Sequence, residues 1–139
     1  MSLAFEDPVA AQITRQGEPR VFTLHEAEQL LPLVRKLTAA AYTELEPVRQ
    51  RYKNLLLCDP RIKAVEFEYE SIVRGWIAKM ERLGLVVNGL WMIDFDTGDG
   101  YLCWKYPELK LAFFHDYTSG FTARRDLIEI IEERAPDWA

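Results

Sequence analysis

Between residues 22 and 83 apolar side chains return every three or four positions; beyond Gly84 they begin to alternate. The first regime opens with Phe22-Thr23-Leu24-His25-Glu26. Thr23 with Glu26 three positions on is a capping box, and Phe22 stands where a hydrophobic staple begins. Behind it Ala27, Leu30, Leu31, Val34, Leu37, Ala41, Leu45, Val48, Tyr52 and Leu55 draw one stripe along a long helix. Pro32 and Pro47 lie just off that stripe. Each removes an amide donor and crowds the carbonyl four residues back, so a kink or break is expected at both. Asp59-Pro60 then supplies an N-cap and a first-turn proline. Ile62, Val65, Tyr69, Ile72, Val73, Trp76, Ile77, Met80 and Leu83 form a second stripe, stopped by Arg82 and Gly84. So short a connection predicts an antiparallel pair of helices, each about 35 to 45 Å long at 1.5 Å per residue.

In the second regime, Leu90 to Phe95, Tyr101 to Tyr106 and Leu109 to His115 are short aliphatic and aromatic runs parted by Asp96-Thr97-Gly98-Asp99-Gly100 and by Pro107-Glu108. They predict a three-stranded antiparallel meander, one of whose faces takes the helical hairpin. Residues 122 to 134 follow as a short helix with Leu127, Ile128, Ile130 and Ile131 inward, ended by Pro136. Residues 1 to 20, polar and carrying Pro8, Gly17 and Pro19, predict a loose N-terminal arm, and 21 to 139 a single domain. The expected class is α+β: a long antiparallel α-hairpin on a three-stranded meander, with a short C-terminal helix.

Composition narrows the function. At 139 residues, 49% hydrophobic and 28% charged, the chain is neither disordered nor a disulfide scaffold. Its net charge of -5 disfavours a nucleic-acid or anionic-membrane footprint. No apolar run approaches the roughly 18 residues of a membrane helix, and the first residues lack a secretory pattern. Cys58 and Cys103 have no metal-type spacing and are expected to be free thiols in a cytoplasmic protein, with a single bridge between them as the alternative.

The opening Phe22-Thr23-Leu24, Glu26-Ala27 and Leu30-Leu31-Pro32-Leu33-Val34, with Gly89-Leu90, Asp94-Phe95, Leu102-Cys103-Trp104, Phe114-His115 and Gly120-Phe121 followed by Arg124, resembles a bacterial family catalogued as domain of unknown function 2203. The likeness spans about residues 21 to 126. The chain departs from the family pattern at Phe114, where Trp is frequent, at His25, where an acid is usual, and in the longer helix after Arg124. The resemblance implies a small cytosolic protein and assigns no reaction.

The residues themselves offer one patch. Pairing the last two strands around Pro107-Glu108 sets Trp104 opposite Leu111 and Leu102 opposite Phe113. Alternation then puts Leu102, Trp104, Leu111, Phe113 and His115 on one face, and Cys103 on the other with Tyr101, Lys105 and Phe114. That register keeps Cys103 out of reach of His115 and argues against a cysteine hydrolase. It leaves Asp94, Trp104, His115 and Arg124 as a candidate small-anion site, an apolar floor with an acid, an imidazole and a cation; a helix start near Thr122 adds amide donors. The structural alternative is a buried polar network fastening the last helix to the sheet.

No metal site or cofactor is expected. His25 with Glu28, and Glu66 with Glu70, read as solvated acidic faces, because a carboxylate-bridged pair of metals needs four facing helices. The Asp94–Gly100 loop has Gly98 at its fifth position and no acid at its twelfth, so it reads as a turn. Arg49, Arg51 and Lys53 around Tyr52 read as a helix flank, with no nucleotide-binding signature beside them. The leading expectation is a non-enzymatic homo-oligomeric binding or scaffold module, most simply a homodimer, because two long stripes and an aromatic sheet leave apolar area to cover. The alternative is an enzyme or sensor taking a small anionic metabolite at the patch.

Overall fold

The computed structural model describes residues 20–120 and 123–139. The expected loose arm thus lies outside the described residues, Arg20 excepted. Helix α1 spans Leu24–Lys53, and its capping box is complete: Thr23 Oγ1 accepts from the Glu26 amide at 3.1 Å while Glu26 Oε1 accepts from the Thr23 amide at 2.9 Å. The break anticipated at Pro32 and Pro47 does not occur, and α1 runs through both. Both prolines are on the exposed side, as are Glu28 and Thr43 four residues back, so water takes the carbonyls that lose their partners.

Helix α2 spans Ile62–Arg82. Asp59 was expected to cap it directly. Instead the helix begins two residues later than Pro60, and Asp59 Oδ1 accepts from the Arg61 amide at 2.9 Å in a turn that precedes it. Gly84 ends α2 with φ +84°, where a Cβ would meet Arg20 Cβ at 2.6 Å. Trp76 locks the helices together, its indole Nε1 donating to the buried Thr38 hydroxyl at 2.9 Å.

The sheet has five antiparallel strands in chain order, where three were expected: β1 Val86–Gly89, β2 Met92–Asp96, β3 Tyr101–Lys105, β4 Phe113–His115 and β5 Arg125–Asp126. Strand β1 pairs through an irregular turn in which Gly89 and Trp91 both have positive φ, which broke up its alternation. Strand β5 is two exposed residues inside what read as a helix start. The last helix, α3, spans Leu127–Arg134, capped by Asp126, whose side chain accepts from the Ile128 amide at 2.9 Å. Leu127 and Ile130 are buried as expected and Ile131 partly so, but Ile128 points outward, 64% exposed.

Ile93, Phe95, Leu102, Trp104 and Phe114 form the sheet's inner face and pack with Leu30, Val34, Trp76 and Met80 of the hairpin and with Leu127 and Ile130 of α3. The C-terminus seals one end: Trp138 stacks on Phe114 with 7° between the rings, and its carbonyl accepts from the Leu24 amide at 2.7 Å. Only the near part of the hairpin belongs to this core. Leu45, Val48, Ile62 and Val65 are buried outside it, and the β1–β2 turn reaches the helices at the level of Leu45 and Tyr69. Beyond that level the hairpin has no sheet against it. Among the described residues no helix is long and apolar enough to cross a membrane.

Candidate functional site

The other face of the sheet carries the polar cluster, and the register puts it there. Strand β3 meets β4 with Tyr101 opposite His115, Leu102 opposite Phe114 and Cys103 opposite Phe113. This is one residue away from the expected pairing, and a one-residue slip exchanges faces. The slip comes from the wide β3–β4 connection. Trp104 sends its indole Nε1 to the Glu108 carbonyl at 2.8 Å, and the Lys105 amide donates to Glu108 Oε1 at 2.9 Å. Trp104 therefore closes the loop and pairs with nothing on β4. The expectation that separated Cys103 from His115 is overturned: both lie on the outer face with Asp94, which pairs directly with Cys103 across β2 and β3.

Three side chains converge there. His115 Nε2 lies 3.1 Å from Asp94 Oδ2, and the thiol of Cys103 completes a group whose potential ligand atoms all fall within 4.8 Å of one another. Asp94, Cys103 and His115 are 2%, 0% and 3% exposed. His115 Nδ1 is 3.0 Å from the Asp116 carbonyl. A carbonyl only accepts, so Nδ1 is the donor in this contact, and Nε2 is the ring atom turned toward the cluster. The Nε2–Oδ2 approach is close but misaligned for a hydrogen bond, and Asp94 Oδ1 has no partner either.

Electrostatics follow from burial. Desolvation pushes the Asp94 carboxyl above the usual carboxylate range, against the opposing pull of His115. Burial, reinforced by the Asp94 charge, pushes the Cys103 thiol up to about 12, so in the absence of a cation the sulfur is protonated at neutral pH. It is a poor nucleophile in that state. Cys58, the other free thiol, is exposed and far along the chain.

The segment after β4 covers this face. Tyr117 packs edge-on against Tyr101, with ring centroids 5.1 Å apart, and its hydroxyl donates to Asp96 Oδ1 at 2.6 Å. Arg124 lies over the Phe113 ring, 3.8 Å from its centroid, with Nη1 4.0 Å from Cys103 Sγ. Its two terminal nitrogens also grip the Glu108 carboxylate at 3.2 and 2.6 Å. Of the four anticipated site residues, the fold thus joins Asp94 to His115, sets Arg124 at their margin and places Trp104 on the opposite face. Glu108 went unnoticed in the sequence, and no local motif marks it. The helix start anticipated near Thr122 falls outside the described residues, and the last described α-helix begins at Leu127.

The other stretches that carry titratable side chains take ordinary roles. His25 and Glu28 are exposed on α1. In the Asp94–Gly100 loop, Asp96 Oδ1 accepts from the Gly98 amide at 2.8 Å and Thr97 Oγ1 donates to the Gly100 carbonyl at 2.8 Å, closing a turn. Glu66 and Glu70 share a groove of about 500 Å³ with Arg49, Tyr52, Lys53 and Tyr69. Arg51 points elsewhere and pairs with Glu68 at 2.8 Å.

Comparison with known proteins adds a family and no reaction. No curated protein and no solved structure gives a significant match. A family model described as an uncharacterised conserved protein, domain of unknown function 2203, matches residues 20–127, a span that holds both long helices, all five strands and every residue of the polar cluster. The chain belongs to that family.

Proposed function

We propose that this protein is a non-enzymatic binding or scaffold module that self-associates, most simply as a homodimer, through the far end of its helical hairpin. One observation carries this reading: Leu56, Leu57 and Phe67 are 73%, 86% and 73% exposed in the part of the hairpin that the sheet does not cover. Three large apolar side chains left in water at one end of a rod lose roughly 1.5–3 kcal/mol each relative to burial, and a second copy is the partner always at hand. The neighbouring groove supports a protein partner over nucleic acid. Its cations, Arg49 and Lys53, face the carboxylates Glu66 and Glu70, which cancels the field a polyanion would need. Sedimentation velocity at micromolar concentration tests the reading. The wild type sediments as a dimer, and Leu56→Ser, Leu57→Ser and Phe67→Ser combined sediment as a monomer with helix content unchanged. A monomeric wild type refutes it.

The second reading, an enzyme or sensor taking a small anion at Asp94, Trp104, His115 and Arg124, draws on the approach of His115 to Asp94 alone. The guanidinium edge that would bind an anion is turned to Glu108, and the Asp94 carboxyl would repel one.

A further inference from the structure

We propose that Asp94, Cys103 and His115 form a binding site for a divalent transition-metal ion of the zinc type, held by one Asp94 carboxylate oxygen, the Cys103 sulfur and His115 Nε2. The inference does not depend on self-association. It starts from a close contact that makes no aligned hydrogen bond: His115 Nε2 and Asp94 Oδ2 lie 3.1 Å apart in side chains almost wholly removed from water. Buried polar atoms are paired in native proteins, and here Nε2 and Asp94 Oδ1 are not. A positive centre between the three side chains satisfies them together.

The donor set selects the ion. An imidazole nitrogen, a thiolate and a carboxylate oxygen make a mixed, borderline-soft set that suits zinc, whereas calcium and magnesium take oxygen alone. Bonds of about 2.0 to 2.3 Å at tetrahedral angles separate ligand atoms by roughly 3.3 to 3.7 Å. The three atoms here lie within 4.8 Å of one another, so small side-chain rotations bring them to bonding distance. The charges also close. Thiolate and carboxylate neutralise a dication, and Arg124 is already balanced by Glu108.

The surroundings are those of a metal ligand shell. The Asp116 carbonyl fixes the His115 ring by accepting a hydrogen bond from Nδ1–H, which leaves Nε2 as the coordinating nitrogen. Arg124 Nη1, 4.0 Å from Cys103 Sγ, supplies an N–H to a metal-bound thiolate. Among the described residues the cluster offers three such ligands, one short of the four that a tetrahedral zinc centre takes.

Cobalt supplies the test, because a thiolate bound to Co²⁺ gives an intense near-ultraviolet charge-transfer absorption. Chelator-stripped full-length protein titrated with Co²⁺ develops that band, saturating at one equivalent, and Zn²⁺ bleaches it. The Cys58→Ser variant keeps the band; Cys103→Ser loses it, and His115→Ala binds at least ten-fold more weakly. Zn²⁺ also raises the melting temperature of the wild type and of Cys58→Ser. Absence of the band in the wild type overturns the proposal, whatever the variants do, and so does a band that vanishes with Cys58→Ser and survives Cys103→Ser.

Discussion

Arg124 serves three neighbours at once: the Glu108 carboxylate at 2.6 and 3.2 Å, the Phe113 ring beneath it and the Cys103 sulfur. Its side chain is 18% exposed and that of Glu108 24%, so the pair is partly shielded from solvent screening. Glu108 also accepts from the Lys105 amide and lends its carbonyl to Trp104, which makes it the post on which the β3–β4 loop is wound. Truncating either partner leaves a half-buried charge without its mate, so Arg124→Ala and Glu108→Ala are each expected to cost about 1–3 kcal/mol. Urea denaturation of both variants and the double variant checks this. The two losses overlap, and the cycle returns a coupling of about 1 kcal/mol or more; strictly additive losses show that the pair is idle. The same loop explains what the sequence conveyed of the site. Asp94 and His115 were recognisable as acid and imidazole on the two strands that flank β3. Cys103 was assigned to the wrong face, because faces depend on register and register here depends on a loop that Glu108 closes through tertiary contacts, with no local signature.

At the level of elements, part of what is coded by neighbours along the chain was legible, although the prolines of α1 and the Asp59-Pro60 cap were misread. The Thr23–Glu26 box, the stop at Gly84 and the stripes of both long helices appear where the spacing puts them, except that Tyr52 is exposed and Leu55 lies past the end of α1. Strand β5 was not, since two exposed residues carry no periodicity, and α3 starts only at Leu127 because Arg125 and Asp126 are drawn into pairing with Phe114 and Phe113. The turn between α1 and α2 offers a test of local coding. Asp59 accepts from the Arg61 guanidinium at 3.1 and 2.8 Å and from its amide, and these bonds hold the Asp59 carboxyl at about 2. A depressed carboxylate stabilises the fold above its unfolded value near 3.8, and that contribution disappears as pH falls through about 2. Carboxyl-carbon NMR is therefore expected to show Asp59 titrating near pH 2, and Asp59→Asn to flatten the fall in stability between about pH 4 and 2. A midpoint at the ordinary aspartate value refutes the arrangement.

The whole molecule is two regions built on one pair of helices. In the near region α1 and α2 are clamped by the sheet, α3 and Trp138, and nearly every large buried side chain is found there. In the far region, among the described residues, the helices have only each other, with Leu45 and Val48 of α1 and Ile62 and Val65 of α2 buried in a thin seam. Flanking ion pairs add little, since Arg51 and Glu68 are 53% and 46% exposed. Opening the far seam exposes a few aliphatic side chains, whereas opening the near region exposes Trp76, Met80, Trp104 and Phe114 together. Native-state hydrogen exchange is thus expected to divide each helix. Amides of residues 45–53 and 62–68 exchange at least about ten-fold faster than those of 27–38 and 76–83, a difference of about 1.4 kcal/mol or more in opening free energy. Self-association through the exposed tip narrows that gap as protein concentration rises, because only the far seam gains a partner. A gap indifferent to concentration places any contact between copies elsewhere, and uniform protection along both helices means that the hairpin opens as one unit with the sheet.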